Sequence, residues 1–189
     1  MKHEAELDEM PPVRYEALYE WMRSFVTIIL PILFLLNFVG QSIPVQGTSM
    51  MPSFRDGDQM IVRSIFYEPQ RGDVVTFARQ DFLDGAILVK RVIALAGDVV
   101  DINAATGTVY VNGIVLDEPY ASGPTEQAGN ISYPFTVPPG HVFVLGDNRS
   151  WNGSLDSRHA DAGPIDEREL LGRVVAVVFP LDRLELFPR

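Results

Sequence analysis

The sequence contains no cysteine. That absence excludes disulfide scaffolds, thiolate zinc sites, iron–sulfur clusters and a cysteine nucleophile, so any nucleophile is to be sought among hydroxyls. Basic charge is scarce as well: 15 Lys and Arg stand against 25 Asp and Glu, for a formal net charge of −10 and no basic tract. Nucleic-acid binding depends on neutralising phosphates with cations, so no nucleic-acid partner is expected. Lysine is scarcer still, at Lys2 and Lys90 alone, the remaining basic residues being arginine. The three histidines, His3, His141 and His159, are isolated and the carboxylates are dispersed among turns, so neither a metal site nor another cofactor is expected.

What is present first is an uncharged run. In a chain of 189 residues that is 47% hydrophobic, no residue from Ser24 to Phe54 carries a charge. Its apolar part, Phe25 to Ile43, is ~19 residues, enough for a helix to cross a ~30 Å hydrocarbon core. Tyr19 and Trp21 stand at its entrance as interfacial aromatics do, and Pro31 and Asn37 inside it are tolerable in a kinked or packed helix. A cleavable signal peptide fits less well, because the first 23 residues are acidic and no small-x-small cleavage site follows. A buried core helix would need a larger soluble domain around it. Lys2, Arg14 and Arg23 before the span, against Arg55 and Arg63 after it, weakly favour a cytoplasmic N-terminus. The expected organisation is a cytoplasmic segment over 1–23, an anchor in the lipid bilayer over 24–43 and an extracytoplasmic domain over 44–189.

That domain reads as mostly antiparallel β. Runs at Gln59–Arg63, Val74–Ala78, Ile87–Leu95, Val99–Ile102, Thr108–Val111, His141–Leu145 and Arg173–Phe179 are separated by Gly, Pro, Asn and Asp. Pro11–Pro12 can open a helix through Tyr15–Arg23 into the span, and Asp166–Leu171 suggests one short helical turn. Residues 103–140, with the Pro- and Gly-rich stretch Ala121–Pro139, read as a small β subdomain or an excursion. Four Gly-Asp pairs, Gly57–Asp58, Gly72–Asp73, Gly97–Asp98 and Gly146–Asp147, look like turn punctuation. Arg71-Gly72-Asp73 is formally an adhesion tripeptide, a three-letter match that arises often by chance.

Two residues suggest chemistry. On a strand, Lys90 shares a face with Leu88, Val92 and Ala94. Burial among aliphatics disfavours an ammonium; lowering its pKa from ~10.4 to about 8 corresponds to roughly 3 kcal/mol of differential solvation. Such an amine can act as a general base, whereas a snorkelling edge-strand lysine is the plainer alternative. The general preference for arginine sharpens the position, because a guanidinium is never deprotonated. Ser49 lies in the uncharged, turn-prone stretch Gly47-Thr-Ser-Met-Met-Pro-Ser53. A loop hydroxyl commonly does no more than satisfy local backbone. Six residues from Ile43, however, Ser49 can lie no more than about 20 Å from the end of the span.

With these residues in place the sequence resembles the bacterial type I (leader) signal peptidases, membrane-anchored serine proteases with a Ser/Lys dyad. The resemblance runs from the anchor to about Val178. Ser49-Met-Met-Pro-Ser53 is similar to the nucleophile motif, with Ser53 where threonine is usual, and Gly57-Asp-Gln-Met-Ile-Val62 and Arg71-Gly-Asp-Val-Val75 resemble the next two strand signatures. Lys90-Arg-Val-Ile-Ala-Leu-Ala-Gly-Asp98 resembles the general-base motif, with Ala96 in place of the usual proline. Gly146-Asp-Asn-Arg149 with Ser154-Leu-Asp-Ser-Arg158 resembles the last box, lengthened by Ser150-Trp-Asn-Gly153.

The resemblance implies that Ser49 is the nucleophile, Lys90 the base and Ser154 a support orienting Lys90. Gly47 stands where some members carry an oxyanion-hole serine, which would leave backbone N–H groups, chiefly that of Ser49, to hold the oxyanion. Asp147, Asp156 and Arg158 read as a salt-bridged scaffold, since a bare carboxylate beside Lys90 would raise its pKa. Met50 and Met51 read as packing or membrane contact. The implied partners are preprotein signal peptides, bound extended along an edge near Val89. Two rival readings remain: a Ser-His-Asp hydrolase using His141 or His159, and a membrane-tethered β domain that binds peptides without cutting them.

Overall fold

The computed structural model describes residues 15–38, 41–65, 67–79 and 85–187, with backbone alone over 34–38. The chain divides into two units, Met1–Asn37 and Phe38–Arg189. Helix α1 spans Tyr15–Phe38, all but its last residue in the first unit, and carries Pro31 inside it. Phe25, Val26, Ile28, Leu30, Ile32 and Leu33 are all exposed along it. Among the described residues no helix is long and apolar enough to cross a membrane. Residues 39–40 of the expected span, like Pro11–Pro12, lie outside the described residues. Residues 41–43, expected at its end, form a strand instead: Pro44 disfavours helix in the residue before it, Gln41–Pro44 pair with residues 59–62, and Ile43 is buried in the core of the second unit.

The second unit is mostly antiparallel β, as expected. Its strands are β1 (Gln41–Pro44), β2 (Gln59–Arg63), β3 (Val74–Phe77), β4 (Leu88–Ala94), β5 (Val99–Asn103), β6 (Thr108–Val111), β7 (Ile114–Val115), β8 (Phe135–Thr136), β9 (His141–Leu145), β10 (Ile165–Asp166), β11 (Leu170–Phe179) and β12 (Glu185–Leu186). A large sheet runs β1-β2-β11-β3-β4-β9-β10, with β12 beside β11. A small one runs β7-β6-β5-β8 and begins at Val99, a few residues before the boundary expected at 103. The expected helical turn near Asp166–Leu171 is a 3-10 turn over Glu167–Glu169, capped by the Asp166 side chain accepting from the Arg168 N–H. Ala121–Pro139 contains β8, which pairs with β5.

Strand sequences explain the layering. In β2 burial alternates along the strand, the pattern of a sheet with one wet face, whereas β3 and β4 are buried on both faces. β11 pairs with β2 along its C-terminal half and with β3 along its N-terminal half, through register shifts that bend it. One core cluster lies under the Ser49 loop, with Met50, Phe54, Met60, Val62, Val89 and Val174. Another joins the two sheets: Ile93, Phe143 and Leu145 of the large sheet pack with Val100, Ile102, Val109 and Val111 of the small one.

Phe143 is fully buried at that junction and stacks obliquely on Phe135 at 5.8 Å between ring centroids. Phe143→Ala is expected to destabilise the domain by about 3–5 kcal/mol, read from urea unfolding of the variant beside the wild type.

Candidate active site

Ser49 sits on the tight turn that follows β1. The turn is closed by Met51 N–H donating to Thr48 O (3.1 Å) and Phe54 N–H donating to Met50 O (2.9 Å), and anchored by the buried side chains of Met50 and Phe54. Met50 is therefore core, while Met51 is exposed. A second lock comes from the last box: Asn148 donates from its backbone N–H to Ser49 O and from Nδ2 to Thr48 O, each at 3.1 Å.

Lys90, in the middle of β4, is 2% exposed. Its Nζ lies 2.8 Å from Ser49 Oγ and 2.8 Å from Val89 O. Burial pulls its pKa down to about 8; Asp156 and Asp147 push the other way and Arg158 helps burial. As an ammonium, Lys90 donates to Ser49 Oγ; once neutral, it offers a lone pair that the Ser49 hydroxyl can donate to.

Both carboxylates near this amine are paired. Asp147, fully buried, accepts from Arg91 Nε (2.8 Å) and Nη2 (2.6 Å) and from Ser53 Oγ (2.5 Å). Asp156 accepts from Arg158 Nε (2.8 Å) and Nη2 (2.9 Å) and from the Gly146 N–H (2.9 Å). Burial alone would raise the Asp156 carboxyl, but the Arg158 guanidinium and the Gly146 N–H outweigh it and hold it below the usual carboxylate range. Arg158 also donates from Nη1 to Gln127 O at 2.8 Å. Each anion thus carries its own cation in its first contact, which limits the field it exerts on Lys90.

Other residues singled out by the sequence lie differently. Among the described residues the buried Ser154 Oγ makes no hydrogen bond of normal geometry and does not bond Lys90; it packs against Gly146, near enough to Asp156 to help hold that carboxyl down. Gly47 takes a positive φ of 82°, and its N–H is engaged by Asp56 Oδ1 at 2.8 Å, so it is not free for an oxyanion. The Ser49 N–H meets no acceptor among the described residues. Val89 is paired with Thr76 of β3, while the β9 ladder along β4 starts only at Arg91, leaving the other edge of Val89 without a strand among the described residues. His141 Nδ1 lies 2.9 Å from Pro139 O, and neither His141 nor His159 hydrogen-bonds Ser49.

The four Gly-Asp pairs separate here. Gly57, Gly72 and Gly97 have positive φ, and Asp58, Asp73 and Asp98 each accept from the N–H three residues earlier, that of Arg55, Gln70 or Leu95. These are turns, as the sequence suggests. Gly146–Asp147 is not one of them: Gly146 does not have a positive φ, and a Cβ there would land on Ser154 Oγ and Ser49 O. Its missing side chain lets the last box close on the Ser49 turn.

A profile described as "Signal peptidase, peptidase S26" matches residues 18–179. The chain belongs to this signal peptidase family. Signal peptidase I of Bacillus licheniformis is 32% identical to it over 94% of this chain and 97% of that protein. Signal peptidase I T of Bacillus subtilis is 32% identical over 87% of each. Probable signal peptidase I-2 of Synechocystis is 34% identical over 87% of this chain and 74% of that one. A crystal structure of a signal peptidase I from Enterococcus faecalis aligns with a TM-score of 0.46 at 30% identity, over 57% of this chain and 97% of that one. As a signal peptidase this chain is a serine-protease hydrolase that removes signal peptides from preproteins.

Sequence reasoning missed the Ser53–Asp147–Arg91 chain and Asn148. One signal for the first was available: Arg91 follows Lys90 in a strand flanked by aliphatics, so it too needed a buried anion. Gly146→Ala is expected to lower kcat/KM for preprotein cleavage by about a hundredfold through displacement of Ser49, with the domain still folded by thermal melting.

Proposed function

We propose that this signal peptidase cuts through a dyad in which Ser49 is the nucleophile and neutral Lys90 the general base. The observation that carries this reading is the 2.8 Å approach of Lys90 Nζ to Ser49 Oγ in a site where that amine is 2% exposed. With a pKa of about 8, roughly one Lys90 in ten is neutral at pH 7, against about one in three thousand at the unperturbed value of 10.5. Lys90 takes the hydroxyl proton as Ser49 Oγ attacks the scissile carbonyl of the signal peptide, giving a tetrahedral oxyanion. The uncommitted Ser49 N–H is the natural donor to it, a role typically worth about 3–4 kcal/mol. The Lys90 ammonium then returns the proton to the leaving amine of the mature chain. The acyl-enzyme that remains is hydrolysed by a water that Lys90 deprotonates. Ser154 is read as a support of the site, acting through packing at Gly146. Asp147, Asp156 and Arg158 are read as scaffold. The free edge at Val89 is read as the place where the signal peptide adds as an extended strand.

The same reading makes the bilayer a partner. It takes the charge-free part of α1, from Ser24 onward, as a single-pass anchor, with the N-terminus cytoplasmic and the catalytic domain on the far side. The exposure of successive apolar side chains on α1 supports this, since a stripe of that length in water is costly. Alkaline carbonate extraction of membranes carrying the full chain is expected to leave it in the pellet; release into the supernatant contradicts the anchor.

Ser49→Ala, Lys90→Ala and Lys90→Arg are each expected to abolish preprotein cleavage with the fold kept, and His159→Ala to leave it intact. Because the neutral amine is the active form, kcat/KM of the wild type is expected to rise with pH along a limb centred near the Lys90 value of about 8. Cleavage by Lys90→Ala, or a profile flat from about pH 6 to 9, overturns the dyad.

A further inference from the structure

The segment that leaves the small sheet after β7 wraps around residues Gly146–Arg149. Glu118 accepts from Arg149 Nη1 (3.0 Å) and Nη2 (2.6 Å), and the Arg149 Nε donates to Gly146 O at 2.7 Å. Two residues past Glu118, the Tyr120 ring lies under the Arg91 guanidinium, 3.9 Å from its carbon to the ring centroid. Ser122 continues the wrap, its N–H donating to Asp147 O at 2.8 Å. Arg91 is the cation of the Asp147 pair and the chain neighbour of Lys90. Its other contacts are Gly72 O at 2.9 Å and a long approach to Ser53 Oγ at 3.5 Å. Arg91 and Tyr120 both line a cleft of about 910 Å³, shared with Arg55 and Arg183.

We propose that Tyr120 is a positioning residue for the Ser49–Lys90 pair: its ring caps Arg91 from the cleft side and keeps the Asp147 charge neutralised close to the reacting amine. The inference rests on the dyad reading. The charged groups facing Lys90 are Asp156, Asp147 and Arg158, with Arg91 beside it on its own strand. Asp156 is held within its own segment by Arg158 and by the Gly146 N–H, independently of Tyr120. Asp147 depends on Arg91, and Arg91 is the group that Tyr120 covers. A cation over an aromatic face is stabilised most when water is kept away. Without the ring, water from the cleft reaches the Arg91–Asp147 pair and loosens it. Asp147 then acts more strongly on Lys90, which favours the ammonium. The phenol takes no part as an acid, because burial and the nearby Glu118 push it further up, out of the working range.

The test is the pH dependence of kcat/KM on a preprotein for the full-length wild type, Tyr120→Phe and Tyr120→Ala, each checked for a cooperative thermal melt. Tyr120→Phe keeps the aromatic face and is expected to overlay the wild type. Tyr120→Ala is expected to keep its alkaline plateau while its limb moves up by about one pH unit, so that kcat/KM at pH 7 falls roughly tenfold. If Tyr120→Ala does not fold, Tyr120→Leu keeps apolar volume without the ring face and is expected to show the same displacement. A folded Ala or Leu variant with its limb in the wild-type position, lowered by one factor at every pH, overturns the inference while leaving the dyad standing. A wild-type profile with no limb overturns the dyad reading, and this inference with it.

Discussion

Removal of one amine from water is the constraint on which the rest of the domain depends. An amine in water stays protonated at neutral pH, and the burial of Lys90 supplies the desolvation that lowers its pKa to about 8. A buried amine tolerates no uncompensated anion beside it without reverting to the ammonium. The pairing of Asp147 with Arg91 and of Asp156 with Arg158 follows from that requirement, as does the placing of β3 and β4 under cover on both faces. Those ion pairs are costly to assemble in a low dielectric, and removing one partner is costlier still. Their role here is geometric and electrostatic more than stabilising.

Ser49 and Lys90 come from segments far apart in sequence, and small residues decide whether they meet. Ser49 rides on a turn fixed from below by Met50 and Phe54 and from the side by Asn148. Gly146 lets the last box approach that turn closely enough for its N–H to hold Asp156 and its carbonyl to accept from Arg149. The Ser53–Asp147–Arg91 chain then ties the Ser49 turn to the Lys90 strand through a single carboxylate. One buried anion therefore bridges the two elements that carry Ser49 and Lys90.

Much of this was legible in the sequence wherever a local pattern carries the information. Gln59–Arg63, Thr108–Val111 and His141–Leu145 appear as strands with the bounds that alternation and turn residues suggest. Lys90 was legible because a chain so poor in lysine placed one among aliphatics, and Ser49 because no thiol competes with it. The short strands β7, β8, β10 and β12 were not legible, since two residues carry no periodicity and pair only because the fold brings a partner. The end of the helix was misjudged because hydropathy continues through Ile43 while backbone pairing to β2 takes over at Gln41. Gly146–Asp147 looks in sequence like three other pairs that are plain turns, and only tertiary contact distinguishes it. Tyr120 left no trace for the same reason, its partner Arg91 lying on β4, distant in sequence.

The scarcity of lysine that makes Lys90 conspicuous also makes its protonation directly measurable. With Lys2 the only other lysine, uniform incorporation of lysine carrying a 13C label at Cε leaves two side-chain signals in the whole chain. Following them by NMR as pH is raised is expected to give one signal, absent from Lys90→Arg, that titrates with a midpoint of about 8. Two signals that both titrate near the ordinary lysine value of 10.5 would contradict a desolvated base at Lys90.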